Sequence, residues 1–194
     1  MSSKEILREE IKKRLKDVSP EEFRLQGDKA AAILRASQVW ASHKTIFLFL
    51  SMKSEIETQS LLEAALSDGK KVFAPRVEDG RLVFYSILPA QGQFRRGPFG
   101  IKEPADGKPA ETGDFPALIL TPGLAFDREG RRMGRGKGYY DRFFAELDHE
   151  AKQYHALGLC MDFQLIDKVP IGEHDKKVQS LLAGEEMHIL IQQS

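Results

Sequence analysis

Apolar positions recur at three- and four-residue steps at the start of the chain. Ile6, Leu7, Ile11, Leu15 and Val18 draw one face of an amphipathic helix that Ser2-x-x-Glu5 can cap. Ser19-Pro20-Glu21-Glu22 then supplies an N-cap, a proline at the first helical position and a glutamate at the third, predicting a second helix to about Ala36. The pattern changes at 45–50, an apolar run rich in β-formers that predicts a buried strand. A helix over 59–67, stopped near Asp68-Gly69, and a strand over 71–75 complete a β-α-β unit. Asp79-Gly80, between Arg76-Val77 and Leu82-Val83-Phe84-Tyr85, has the chemistry of a tight hairpin turn.

Residues 88–114 are rich in Gly and Pro and predict a long surface loop rather than a domain linker. The buried-strand pattern resumes at 117–121, a glycine-rich stretch follows, and 139–147 predicts a helix, with further strands near 155–160 and 187–191. This alternation predicts an α/β fold with three layers: an open, mostly parallel sheet flanked by helices, with N-terminal helices and a small antiparallel hairpin element. Residues 1–194 are expected to form one domain, since 194 residues bury one substantial core but are short for two.

Composition narrows the class. Apolar residues at 41% and charged ones at 30% describe a soluble globular chain, so patterning must set the fold. Lys plus Arg (29) balances Asp plus Glu (29), so no global field favours nucleic acid and any anion site must be a local cluster. The single cysteine, Cys160, excludes an internal disulfide framework and fits a reducing, cytoplasmic setting. No apolar run spans a membrane, and no partner protein is implied, so a monomer is expected.

Chemistry concentrates in Thr121 to Asp141. Glycines 134, 136 and 138 let a ligand approach the backbone, amides at the next helix start can face an anion, and Arg131, Arg132, Arg135 and Lys137 add positive charge. This suits phosphate, although a solvated turn with basic side chains has the same composition. The spacing is neither the P-loop, because Gly138 follows the lysine, nor the dinucleotide fingerprint, because the third glycine comes one residue early. Asp141 is a hard-oxygen ligand for Mg²⁺ or a first-turn helix charge. Asp175 offers a second carboxylate or belongs to a surface loop, and spacing alone does not join the two. Glu55, just beyond the first strand, can accept paired hydrogen bonds from an N–H-rich heterocycle, or the Glu-Ile-Glu-Thr stretch simply caps a helix. Lys4 and Arg8, one turn apart, can grip a phosphate or solvate a helix face. The five histidines show no metal-ligand spacing, and Cys160 sits in an apolar strand, which sets zinc and thiol chemistry aside.

At these residues the sequence resembles the 5-formyltetrahydrofolate cyclo-ligase family over nearly its whole length. The resemblance rests on Lys4-x-x-x-Arg8, Phe49-Leu-Ser-Met with Glu55-Ile-Glu-Thr58, Ala74-Pro75-Arg76, Phe99-Gly-Ile-Lys-Glu-Pro104, and above all Pro122 to Asp141 with its Gly-Arg-Gly-Lys-Gly-Tyr-Tyr-Asp ending. It implies that Lys4, Arg8 and the loop of Arg132, Met133, Gly134, Arg135, Gly136, Lys137, Gly138, Tyr139 and Tyr140 hold ATP. Leu50, Glu55, Arg135, Gly136, Lys137, Gly138 and Tyr139 would face the folate, and Asp141 and Asp175 would serve Mg²⁺. Near the C-terminus, Val178-Gln-Ser stands where the family often carries Val-Thr-Glu.

The reaction this implies is ATP-dependent closure of 5-formyltetrahydrofolate to 5,10-methenyltetrahydrofolate. The formyl oxygen is phosphorylated to an iminium phosphate, N10 captures it, and Arg135 and Lys137 are the expected catalytic side chains. Phosphoryl transfer needs positioning and charge stabilisation rather than a side-chain nucleophile. Two rivals remain: a silent relative that binds nucleotide or folate, and an enzyme on the same scaffold with another N-formyl or pterin-like substrate.

Overall fold

Ser2 and Glu5 cap the first helix reciprocally, the Ser2 hydroxyl accepting from the Glu5 amide and the Glu5 carboxylate from the Ser2 amide at 2.7 Å, so α1 runs Ser3–Asp17. The computed structural model describes residues 2–87, 94–97, 100 and 102–190. Ser19 accepts from the Glu22 amide at 3.1 Å and Pro20 opens α2 (Pro20–Arg35). A short helix not anticipated from the pattern, α3 (Gln38–Ser42), follows; one turn is too brief to show a period, and its hold is tertiary, with Trp40 buried and its indole donating to Asp68 at 2.9 Å.

The strand expected at 45–50 is shorter in the ladder. β1 is Thr45–Phe47, and 48–50 stay buried or half-buried but leave the sheet to start the loop above it. α4 (Gln59–Ser67) leads to β2 (Lys71–Glu78), which turns through Asp79 and Gly80, both at positive φ, into β3 (Arg81–Ile87).

Within the expected 88–114 loop the described residues are partly ordered strand. β4 (Phe94–Arg96) and β5 (Lys102–Pro104) form an antiparallel hairpin, and Pro109 bridges Tyr85 on β3; residues 88–93, 98–99 and 101 of that loop lie outside the described ones. Short strands defeat a composition rule dominated by Gly and Pro. β6 (Ala117–Thr121), wholly buried, is followed by a two-residue pair, β7 (Ala125–Phe126) and β8 (Arg132–Met133), then α5 (Tyr139–His149) and β9 (Tyr154–Cys160). β10 (Ser180–Ala183) was not anticipated; it pairs with β11 (Glu186–Ile189), the strand expected at 187–191, of which 191 lies outside the described residues.

The sheet order is β11-β10-β9-β6-β1-β2-β3, parallel from β10 to β2 and antiparallel at both edges. Strand alternation splits the core. Ile46, Leu118, Leu120, Leu157 and Leu159 face α1, α2 and α4, whereas Phe47, Ile119, Ala156 and Leu181 face Phe143, Phe144 and Leu147 of α5. The expected three layers are therefore present. Among the described residues no helix is long and apolar enough to cross a membrane.

Candidate active site

Ligands in open parallel sheets gather beyond the carboxyl ends of the strands, and here the loops after β1 and β6 meet there. Thr58 ties the first loop down: its hydroxyl donates to the Phe49 carbonyl at 2.7 Å, and Ser51 and Thr58 exchange side-chain-to-amide bonds at 3.3 Å. That folds Ser51 to Thr58 into a compact turn with Glu55 inward. The Glu55 carboxylate accepts from the Met52 amide at 3.0 Å and from Arg135 Nε at 3.3 Å, while Arg135 Nη2 donates to Ser54 at 3.0 Å. Burial pushes the Glu55 carboxyl above its usual range, against the pull of the Met52 amide and Arg135.

Arg135 stands on the glycine loop, where Gly136 (φ 104°) and Gly138 (φ 64°) adopt backbone that side chains rarely take. Gly138 opens α5 with no side-chain cap, which leaves the first-turn amides without a side-chain acceptor. Arg142 pins the loop, donating to the Lys137 carbonyl at 2.9 Å and to the Gly80 carbonyl at 3.0 Å.

Between these loops lies a cavity of about 360 Å³. Leu50, Glu55, Arg132, Gly134, Arg135, Lys137, Gly138, Tyr139, Tyr140 and Asp141 all line it, so most residues singled out in the sequence converge there. Pro75, Val77 and Leu82 add an apolar wall from the β2–β3 hairpin. The Tyr140 hydroxyl is buried without a hydrogen-bond partner among the described residues; burial, then the Glu55 charge, pushes its pKa far above the ordinary range, so the phenol stays protonated. A larger cavity, about 620 Å³, lies by Gln26, Arg128 and the β10–β11 hairpin, and no residue given a binding, catalytic or metal role above lines it. Convergent polar groups rather than size mark a site, which favours the smaller one.

Lys4, Arg8, Met133, Gly136 and Asp175 do not line the smaller cavity. α1 instead lays Arg8 across the outer side of the glycine loop, donating to the Gly134 carbonyl at 3.2 Å, while Lys4 pairs with Asp175. Met133 is buried in the core, leaving only its backbone for any ligand. Arg132 is also buried, donating to Asp141 at 2.7 Å, with its Nε unpartnered among the described residues. Asp141 and Asp175, which spacing could not connect, are joined by the Lys176 amide donating to Asp141 Oδ1 at 3.1 Å. Burial would raise the Asp175 carboxyl, but Lys4 and the Gly172 amide, with Arg132 behind them, hold it below the usual range.

Whether this pair suits Mg²⁺ is a question of donors. Both bonds to Asp141 fall on Oδ1 and both to Asp175 on Oδ2, so among the described residues each carboxylate keeps one oxygen unengaged. Among the described residues no three acidic, histidine or cysteine side chains cluster. Two carboxylates without a third fit an ion held largely by nucleotide phosphates and water. Cys160 is buried and unpaired, and burial drives its thiol well up, which rules it out as a nucleophile.

The sequence profile of the 5-formyltetrahydrofolate cyclo-ligase family matches residues 1–184. The chain belongs to this family. It is 32% identical over 190 residues to the 5-formyltetrahydrofolate cyclo-ligase of Mus musculus, covering 93% of each chain. Over 172 residues it is 31% identical to the Escherichia coli K12 cyclo-ligase, with 85% of this chain and 91% of that one covered. The solution structure of Aquifex aeolicus 5,10-methenyltetrahydrofolate synthetase superposes with a TM-score of 0.83 at 28% identity, over 97% of this chain and 93% of that one. Within this cyclo-ligase fold, sequence reasoning had not singled out Ser54, Arg142 or Glu103 as site residues; only the resemblance motif Phe99 to Pro104 pointed near the last.

Proposed function

We infer that this chain closes 5-formyltetrahydrofolate to 5,10-methenyltetrahydrofolate at the expense of ATP, in the cytoplasm and as a monomer. The observation that carries the reading is Arg135 of the glycine loop lying against half-buried Glu55 at 3.3 Å across one cavity, which joins a basic glycine loop to a carboxylate fit for a heterocycle. The formyl oxygen attacks the γ-phosphorus and ADP leaves. N10 then bonds to the activated formyl carbon, phosphate departs with the former formyl oxygen, and N10 gives up its proton.

The protein's part is positioning and charge. Lys137 and Arg135 take the negative charge on the transferring phosphoryl group. The glycine loop from Arg132 to Tyr140 holds the phosphates through backbone amides, with Lys4 and Arg8 reaching them from α1. Glu55 anchors N–H donors of the pterin, beside Leu50 and the ring of Tyr139. Asp141 and Asp175 would hold Mg²⁺, whose charge screens the β- and γ-phosphates when it is bound. Arg135 must exchange part of its contact with Glu55 for substrate, so it links the two subsites.

This division of labour has a direct check. Lys137→Ala should lower kcat by roughly 10²- to 10³-fold, as removal of one transition-state charge donor does, with little change in folate affinity. Glu55→Ala should weaken folate binding by about 10- to 100-fold, as loss of a charge-assisted hydrogen bond does. Equal effects of both changes on folate affinity would refute the assignment.

A further inference from the structure

Two of the motifs quoted above, Ala74-Pro75-Arg76 and Phe99 to Pro104, have no part in the roles just assigned, and the structure brings their described residues together. Arg76, nearly buried and stacked 3.9 Å from the Tyr85 ring centroid, donates through Nε to the Pro104 carbonyl at 2.5 Å. This fastens β5 beside β2. The Val77 amide then donates to Glu103 Oε1 at 3.2 Å, and Glu103 is 3% exposed. Its other oxygen, Oε2, is buried and forms an ion pair with Arg95 Nη2 at 3.6 Å, but among the described residues no group donates a hydrogen bond to it. Glu103 lines the same cavity as Glu55.

A buried carboxylate oxygen that lacks a hydrogen-bond donor is costly even beside a cation, and a ligand in the cavity that Glu103 lines is one source of that donor. We propose that Glu103 is a second folate-recognition carboxylate, whose Oε2 accepts a hydrogen bond from an N–H of the reduced pterin, with Arg76 as its positioning residue. The inference rests on the folate reading above and extends it. The substrate's heterocycle carries N–H groups on its 2-amino group, N3 and N8, more than Glu55 alone can accept with one oxygen already on the Met52 amide. Glu55 comes from the loop after β1 and Glu103 from β5 beside β2, so they meet different edges of the ring. Gly97 completes the fit: a Cβ there would lie 2.1 Å from the Glu103 carboxyl carbon, so only glycine lets β4 close over the carboxylate in its present place.

The test is calorimetric affinity for 5-formyltetrahydrofolate without ATP, with the wild type, Glu103→Gln and Glu103→Ala. Glutamine keeps the shape but has one carbonyl for two donors, the Val77 amide and the ligand. It should bind about tenfold more weakly, and alanine about 10- to 100-fold, with KM for ATP unchanged. Analogues that remove one N–H each, by losing the 2-amino group, methylating N3 or carrying carbon in place of N8, identify the contact: with one of them, wild type and Glu103→Gln should bind equally. Unchanged affinity in both variants would overturn the proposal. So would a loss that is the same for every analogue, which would make Glu103 a strut of the β4–β5 hairpin. If wild type neither binds the folate nor forms methenyl product with ATP, the functional reading itself falls; with that activity present, only the Glu103 assignment is at stake.

Discussion

Glu55 shows how far a single residue's role can be read. Its position after a strand marked it as a ligand-facing carboxylate, but helix capping explained it equally well until the fold showed its oxygens on the Met52 amide and Arg135 rather than on a helix start. Its raised pKa has two consequences of fixed sign. In the folded protein the carboxyl holds its proton to higher pH than in the unfolded chain, so its contribution to stability is present at low pH and lost as pH rises through the folded value. Glu55→Gln should therefore raise the thermal midpoint of the ligand-free protein at neutral pH. Folate, supplying N–H donors, binds the ionised form, so affinity should fall with acidification, beginning above the ordinary carboxylate range; Glu55→Gln should weaken binding and remove that pH dependence. A wild-type affinity flat across this range, or a destabilised glutamine variant, would contradict the assignment. Asp141 and Asp175 were individually visible but not jointly so, because only the tertiary fold brings the Lys176 amide to Asp141.

At the scale of elements, the Ser2–Glu5 capping box of α1, the Ser19-Pro20 start of α2 and the apolar period of α5 made the long helices legible through local chemistry. The short elements α3, β4, β5, β7, β8 and β10 were not legible, because tertiary partners rather than local preference hold them, whereas the equally short β1, β6 and β11 showed through their apolar runs. The hairpin formed by β4 and β5 matters most, for it carries Glu103. Gly27 is a second case. Inside a helix it costs about 1 kcal/mol relative to alanine, and the sequence offers no reason for it. The fold does: a Cβ at Gly27 would lie 2.1 Å from the Glu57 carbonyl oxygen, and the Glu57 amide donates to the Phe23 carbonyl at 3.2 Å. α2 thus supports the Glu55 turn backbone against backbone. Gly27→Ala should destabilise the protein by about 1–2 kcal/mol net of its better helix propensity and weaken folate binding several-fold, measured by denaturant unfolding and calorimetry. A stabilised variant with normal affinity would show that the turn does not depend on this contact.

For the molecule as a whole, one parallel sheet sets the loops after β1 and β6 side by side, while α1 covers the glycine loop from outside. Chain order gives no hint of this; Arg8 and Gly134 meet only because the sheet places β6 next to β1 and the first helix packs across the end. The α/β class and its three layers followed from alternating periods, but strand order did not, since tertiary pairing sets it and β10 was not anticipated. The arrangement gives one cavity with a basic glycine-loop side and an apolar side that carries Glu55, which is what the proposed ATP-driven closure of a formylated folate needs. The most direct measurement is near-ultraviolet absorbance of the purified protein with 5-formyltetrahydrofolate and Mg²⁺, before and after ATP is added. The account predicts that the absorbance of the conjugated methenyl product rises only after ATP, in step with ADP release. No rise while folate still binds would contradict it and leave a binding protein, or an enzyme for a different N-formyl substrate.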